Sequence, residues 1–169
     1  MSVSAMEDGL VSTERLRLIV ESLDACRARI AAMPDEHRAM LSPAWLALLE
    51  QAEPGDPWVL GFTIVRDADG AVVGSCGFKG PPSADGVVEI AYAIEPHEQG
   101  QGYATEAAEA LTRFALQSAG VRRVLAHTLP AESASTRVLT KCGYRNVGEV
   151  IDPDDGSVWR WEYSDPSQA

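Results

Sequence analysis

Positive charge is scarce in this chain. Its 169 residues carry 25 Asp and Glu against 14 Lys and Arg, a formal net charge of -11 with a sequence pI of 4.6. That balance argues against nucleic acid or an anionic membrane surface as general partners and draws cationic substrates inward. The plainer reading of the same acidity is solubility alone. Cysteine is equally sparse: Cys26, Cys76 and Cys142 are odd in number, far apart and free of any Cys-x-x-Cys or nearby histidine spacing. Neither a disulfide framework nor a zinc site is suggested, so reduced, packed thiols and no metal are expected. No apolar run approaches the ~20 residues that span a bilayer, and Met1 to Ser12 lacks the basic patch and apolar stretch of a leader, which makes a cytoplasmic location the expectation. Internal repeats, low-complexity tracts, a Gly-Lys-Ser/Thr tripeptide and a nucleophile-elbow serine are also missing. Covalent catalysis by a Ser-His-Asp set is therefore not suggested.

What is present is a glycine turn, Gln99-Gly100-Gln101-Gly102-Tyr103-Ala104, between a β-prone run and a helical one. Glycines let a backbone approach a ligand closely, and the first N–H groups of the following helix lack intrahelical acceptors. Those donors and the positive end of the helix dipole favour phosphate oxygens. Beyond the turn, Ala104, Ala107, Ala108, Leu111, Phe114 and Ala115 paint one helical face, with Ala119-Gly120 as the stop. Before it, Val87, Val88, Ile90, Tyr92 and Ile94 form a strand that Pro96 ends.

Three phosphate-binding designs share this outline. A dinucleotide fingerprint needs a third small residue where Thr105 stands, and an acidic residue closing a second strand, which is missing. A small nucleotide-binding oxidoreductase subunit is thus a distant alternative. A P-loop needs the absent Gly-Lys-Ser/Thr. The third design, Gln/Arg-x-x-Gly-x-Gly/Ala, is met at each fixed position by Gln99 through Ala104 and resembles the acetyl-CoA loop of the GNAT family of N-acetyltransferases. The likeness extends in the family's order over residues 13 to 163. Glu14-Arg15-Leu16 to Leu18 resembles its opening strand, Val72 to Phe78 its third, Glu89 to Tyr92 its fourth, and Ser135 to Tyr144 its closing helix with the Lys-x-Gly-Tyr end. The closest likeness is to the branch that includes ribosomal-protein N-terminal acetyltransferases.

Along the chain, Leu16, Leu18 and Val20 alternate into a first strand, and Leu23 to Met33 is helical until Pro34. Ser42-Pro43 caps a second helix with Trp45, Leu46, Leu48 and Leu49 on its apolar face. Strands at Trp58 to Arg66 and Ala71 to Phe78 flank the hairpin turn Asp67-Ala68-Asp69-Gly70. Val121 to Leu129 reads as a strand, Ser133 to Cys142 as a helix stopped by Gly143, and Tyr144 to Ile151 as a strand. After the turn Asp152 to Gly156, Trp159, Trp161 and Tyr163 place an aromatic stripe on the last strand, expected to be core. At this length one domain buries roughly 70% of the surface of its unfolded chain. The domain is placed at 13–163, with a flexible extension at 1–12 and a frayed tail at 164–169. The expected fold is α/β (α+β): a mixed, mostly antiparallel seven-stranded sheet flanked by about four helices, which is the GNAT layout.

The resemblance implies a co-substrate, acetyl-CoA, and a second partner, an amine acceptor. It implies that the strands on either side of the long helix splay apart, with backbone groups of Ala93 and Ile94 bonding the pantetheine arm. Gln99, Gly100, Gln101, Gly102, Tyr103, Ala104 and Thr105 hold the diphosphate, with Arg137 or Lys141 nearby. Direct transfer in a ternary complex needs a group that takes a proton from the ammonium and one that protonates the departing thiolate. Glu89 is the candidate base, sharing a strand face with Ala91 and Ala93; a purely structural carboxylate is the alternative. Ser135 is the candidate donor, unless it only starts a helix. Glu132 stands where the related enzymes carry a coenzyme-binding asparagine, and the stretch where many members carry a tyrosine acid reads Arg137-Val138-Leu139-Thr140. These departures keep open a catalytically silent acyl-CoA sensor. His127 suits proton shuttling but has no carboxylate beside it in sequence, and His97 reads as a solvated loop residue. The acceptor, a protein N-terminus or a small amine, is not legible. A homodimer through the final strands is compatible with such a sheet.

Overall fold

The computed structural model describes residues 10–153 and 155–163. The extension assigned to residues 1–12 lies mostly outside these, as does the tail at 164–169. Eight strands build one sheet: β1 (Leu10–Ser12), β2 (Leu16–Val20), β3 (Phe62–Arg66), β4 (Val72–Phe78), β5 (Val87–Ile94), β6 (Arg123–Thr128), β7 (Tyr144–Asp152) and β8 (Gly156–Tyr163). Five helices accompany them: α1 (Leu23–Ala31), α2 (Asp35–Arg38), α3 (Pro43–Glu50), α4 (Tyr103–Gln117) and α5 (Ala134–Lys141). The strand order is β1-β2-β3-β4-β5-β6-β8-β7, antiparallel throughout except for the β5–β6 pair.

The mixed, mostly antiparallel sheet matches expectation, whereas the counts of seven strands and four helices fall short by one each. The added strand β1 pairs with β2 from Leu10↔Ile19 to Ser12↔Arg17, and three residues are too few to show a period in sequence. The added helix is the single turn α2, which starts at the proline expected to end α1. The strand expected from Trp58 begins instead at Phe62. Gly61 takes φ +76° there, and Val59 and Leu60 turn aside into a small core with Cys26 and Leu49. The Trp45 indole N–H holds that detour by donating to the Val59 carbonyl at 2.9 Å.

Helix α4 packs across the sheet. Ala107, Ala108, Ala110, Leu111 and Ala115 are buried against Leu16, Leu18, Ile64, Val73, Val88, Ile90 and Val124. The aromatic stripe of β8 belongs to this core: Trp161 is buried and its indole N–H donates to Thr128 Oγ1 at 3.1 Å. The three cysteines are free and buried. Burial pushes the Cys142 thiol up to about 12 and Cys76 higher still, so both stay protonated and inert.

Candidate active site

The parallel pairing of β5 with β6 runs only over Val87↔Arg123, Val88↔Val124 and Glu89↔Leu125. Beyond Glu89, β5 stays paired to β4 through Ile90↔Phe78 to Ile94↔Gly74, while β6 runs on to Thr128 paired to β8 on its other edge. The two strands therefore part, as the resemblance implied, and Ala91 to Ile94 line cavities there.

At the end of β5 a short 3-10 turn, Pro96–Glu98, leads into the glycine loop. Gly100 and Gly102 adopt φ +82° and +84°, left-handed conformations that residues with a Cβ rarely hold. Gly102 is the N-cap of α4, whose first intrahelical bond runs from the Glu106 N–H to the Gly102 carbonyl at 3.1 Å. The N–H groups of Tyr103, Ala104 and Thr105 precede that bond and point out of the helix start. The Gln99 side chain braces the loop by donating to the Ile94 carbonyl at 3.1 Å.

Arg15, at the entry to β2, clamps the loop from behind. Its Nη1 donates to the Gln101 carbonyl at 2.9 Å and its Nε to Glu106 Oε1 at 2.8 Å, and its guanidinium lies 4.7 Å over the Tyr103 ring. Glu106 also accepts from the Arg15 N–H at 2.9 Å and from the Thr13 hydroxyl. Burial raises the Glu106 pKa, but these donors outweigh it and hold the carboxyl below its usual range. A carboxyl depressed in the folded state stabilises the protein above its unfolded pKa and loses that contribution as pH falls through the folded value. Glu106→Gln is therefore expected to cost about 1 kcal/mol at pH 7. The gap in thermal midpoint to the parent should narrow as the pH is lowered below the ordinary carboxyl value of 4.5, which melting curves across pH will check.

A cleft of ≈ 440 Å³ runs from the β5 edge over the loop to α5. It brings together Ala93, Ile94, Gln99, Gly100, Gly102, Tyr103, Ala104, Thr105 and Ser135 of the residues singled out from sequence, with Arg137 and Lys141 on the α5 wall. Gln101 and Glu132 are not among its lining residues. The Gln101 carbonyl is taken by Arg15, and its side chain donates to Glu98. Glu132 Oε2 accepts from the Thr136 hydroxyl at 3.0 Å, in the first turn of α5, where Ser133 and Thr136 form a capping box.

A second, smaller cavity of ≈ 120 Å³ is lined by Lys79, Glu89, Ala91, Tyr92, His127 and Ser135. Glu89 Oε1 is 3.1 Å from His127 Nδ1, and Oε2 is 2.9 Å from Lys79 Nζ. Both carboxylate contacts are at ion-pair distance, yet neither is aligned as a hydrogen bond: buried Glu89 Oε2 and His127 Nδ1 keep unused bonding capacity. Lys79 Nζ also reaches Asp155 Oδ2 at 3.4 Å, in the turn between β7 and β8. Burial lowers the Lys79 pKa, but contacts with Glu89 and Asp155 more than offset this and raise it above the ordinary lysine value. Glu89, His127 and Asp152 bring ligand atoms within 4.8 Å of one another, with the Lys79 ammonium already against the Glu89 carboxylate.

Tyr92 and Ser135 line both cavities, so the glycine-loop cleft and the Glu89–His127 pocket meet at these two residues. The Tyr92 hydroxyl donates to the Ser135 carbonyl at 3.3 Å, and burial raises its pKa, keeping the phenol protonated. Tyr92 also lines a third cavity of ≈ 280 Å³ under α1 and α3, with Glu21, Arg29 and Trp45. Sequence reasoning missed Tyr92 as a site residue, because strand alternation assigns it to the face opposite Glu89. His97 is exposed beside Glu98, 3.9 Å from its carboxylate, and lines none of these three cavities.

The family description Acetyltransferase (GNAT) domain matches residues 18–145. The chain belongs to the GNAT acetyltransferase family. It is 33% identical over 108 residues to the uncharacterized N-acetyltransferase YjdG of Bacillus subtilis (strain 168), a match covering 64% of this chain and 59% of that protein. The chain spans about half the length of other curated relatives it matches. Among solved structures, a GNAT-family acetyltransferase from Bacillus anthracis superposes with TM-score 0.64 at 18% identity, covering 90% of this chain and 96% of that one. Microcin C7 self immunity acetyltransferase MccE, solved with acetyl-CoA and AMP, superposes with TM-score 0.63 at 15% identity, covering 90% and 94%. At these identities the superpositions establish the shared GNAT fold. Among the described residues no helix is long and apolar enough to cross a membrane.

Proposed function

We propose that this GNAT domain is an acetyl-CoA-dependent N-acetyltransferase that moves the acetyl group directly to a primary amine in a ternary complex. The observation that carries this reading is the meeting of two cavities at Tyr92 and Ser135, one floored by the glycine loop and one holding Glu89 and His127. The amides of residues 99 to 105 bind the diphosphate, with Arg137 and Lys141 supplying positive charge in an otherwise acidic protein. The β5 edge at Ala93 and Ile94 takes the pantetheine arm. The thioester then ends beside Tyr92 and Ser135, where Glu89 receives a proton from the incoming ammonium and passes it toward His127. Ser135 protonates the leaving thiolate. The acceptor, a protein N-terminus or a small-molecule amine, enters from the cavity under α1 and α3.

Glu132 favours a second reading. Where the family asparagine commonly bonds coenzyme or substrate, this carboxylate is engaged with Thr136, as suits a silent acyl-CoA sensor. Coenzyme release measured over a panel of amines, alongside calorimetry with acetyl-CoA, separates the two. Acceptor-dependent thiol release supports the enzyme; tight binding with no release from any amine supports the sensor; no heat with acetyl-CoA removes both.

A further inference from the structure

Lysine is rare here. Lys79 and Lys141 are the chain's two lysines against twelve arginines, and both line the cavities just described. Lys79 directly follows β4, and its N–H donates to the Glu89 carbonyl at 3.0 Å, which fixes its backbone beside β5. Its side chain keeps 42% exposure and reaches over β5 so that Nζ lies 2.9 Å from Glu89 Oε2. A primary amine of the chain itself thus sits against the proposed base. It lies in the pocket whose walls, Tyr92 and Ser135, also bound the coenzyme cleft.

We infer that Lys79 is a self-acetylation site, the internal amine that accepts the acetyl group when no external acceptor occupies the pocket. This rests on the acetyltransferase reading above. Glu89 takes a proton from the Lys79 ammonium, which frees the Nζ lone pair. Nζ forms a bond to the carbonyl carbon of the thioester, the C–S bond breaks and sulfur leaves with its electron pair; nitrogen gives up its second proton as the amide forms, and the thiolate takes up one proton. The products are an ε-N-acetyl-lysine and free coenzyme A. The ammonium needs a contacting base to become nucleophilic, and Glu89 is in contact. Acetylation removes the charge that joins Glu89 to Asp155, so it releases the base and unties the β7–β8 turn from β4.

Lys141 provides the internal control. It is exposed on the wall of the coenzyme cleft, where the proposed reading sets it near the diphosphate, and it is not part of the Glu89 pocket. The full chain is incubated with acetyl-CoA and no acceptor, cut by a protease that cleaves at acidic residues, and each lysine is followed by mass spectrometry. Lys79 is expected to gain an acetyl group about tenfold faster than Lys141 or more, as proximity to a base and a thioester predicts. Glu89→Gln should reduce the Lys79 rate to that of Lys141 and leave Lys141 unchanged. Equal rates at the two lysines in the parent, or a Lys79 rate that ignores Glu89→Gln, overturns the inference. Calorimetry and amine-panel turnover on the same sample separate the levels of failure. Coenzyme binding and turnover with a bare Lys79 sinks self-acetylation alone, while no coenzyme binding sinks the acetyltransferase reading and self-acetylation with it.

Discussion

Glu89→Gln is expected to lower turnover by about 10²–10³-fold while acetyl-CoA affinity stays within about twofold of the parent, the range removed with a general base. Glutamine keeps the shape of the side chain but cannot take a proton, so the loss should fall on kcat. The glycine loop, the proposed diphosphate site, is built from main-chain amides that Glu89 does not touch. His127 lies 3.1 Å from the same carboxylate, so the two are expected to act as a unit. Removing His127 after Glu89 should cost little more than removing Glu89 alone. Steady-state kinetics on the two single variants and the double variant will measure this. A Glu89→Gln protein within threefold of parental turnover would reduce Glu89 to an ion-pair residue that holds Lys79, with water as the proton acceptor.

The glycine loop and the helix after it were legible because their signals are local: two glycines, a β-run before and a 3.6-residue period after. The closing helix was legible for the same reason, through Ser133 and Gly143. The Glu89–His127 contact was not. The two residues are 38 positions apart and are joined by the parallel β5–β6 register, in which Glu89 faces Leu125 and places His127 two residues along on the same side. A crossover pairing of that kind leaves no trace in either strand's own pattern. Lys79 is similar, since its partners on β5 and in the β7–β8 turn come from two other parts of the chain. The misplaced start of β3 has another origin. Trp58, Val59 and Leu60 are as apolar as a strand should be, and it is the second core under α1 and α3 that claims them, a tertiary demand that overrides β-propensity.

Gly102→Val tests the loop itself. At φ +84° a β-branched residue is strained by at least the roughly 1–2 kcal/mol that separates left- from right-handed helical backbone, and a Cβ there would stand 3.3 Å from Arg15 Nη2. The backbone is expected to relax toward negative φ, which swings the amides at the start of α4 away from their common focus. Losing one or two charge-assisted hydrogen bonds to a diphosphate, each about 1.5–3 kcal/mol, weakens acetyl-CoA binding about 10- to 100-fold or more. Gly55→Val supplies the control for backbone strain. Gly55 has φ +83°, nothing within 4 Å of its added Cβ, and no place in the coenzyme cleft. Both variants should melt earlier than the parent, while only Gly102→Val loses affinity. Acetyl-pantetheine, which carries the thioester arm without the diphosphate, should bind the parent and Gly102→Val alike. Calorimetry with the two ligands decides it: an equal loss for both would mean that the introduced isopropyl group blocks the arm rather than the phosphates, and unchanged acetyl-CoA binding would remove the diphosphate from this loop altogether.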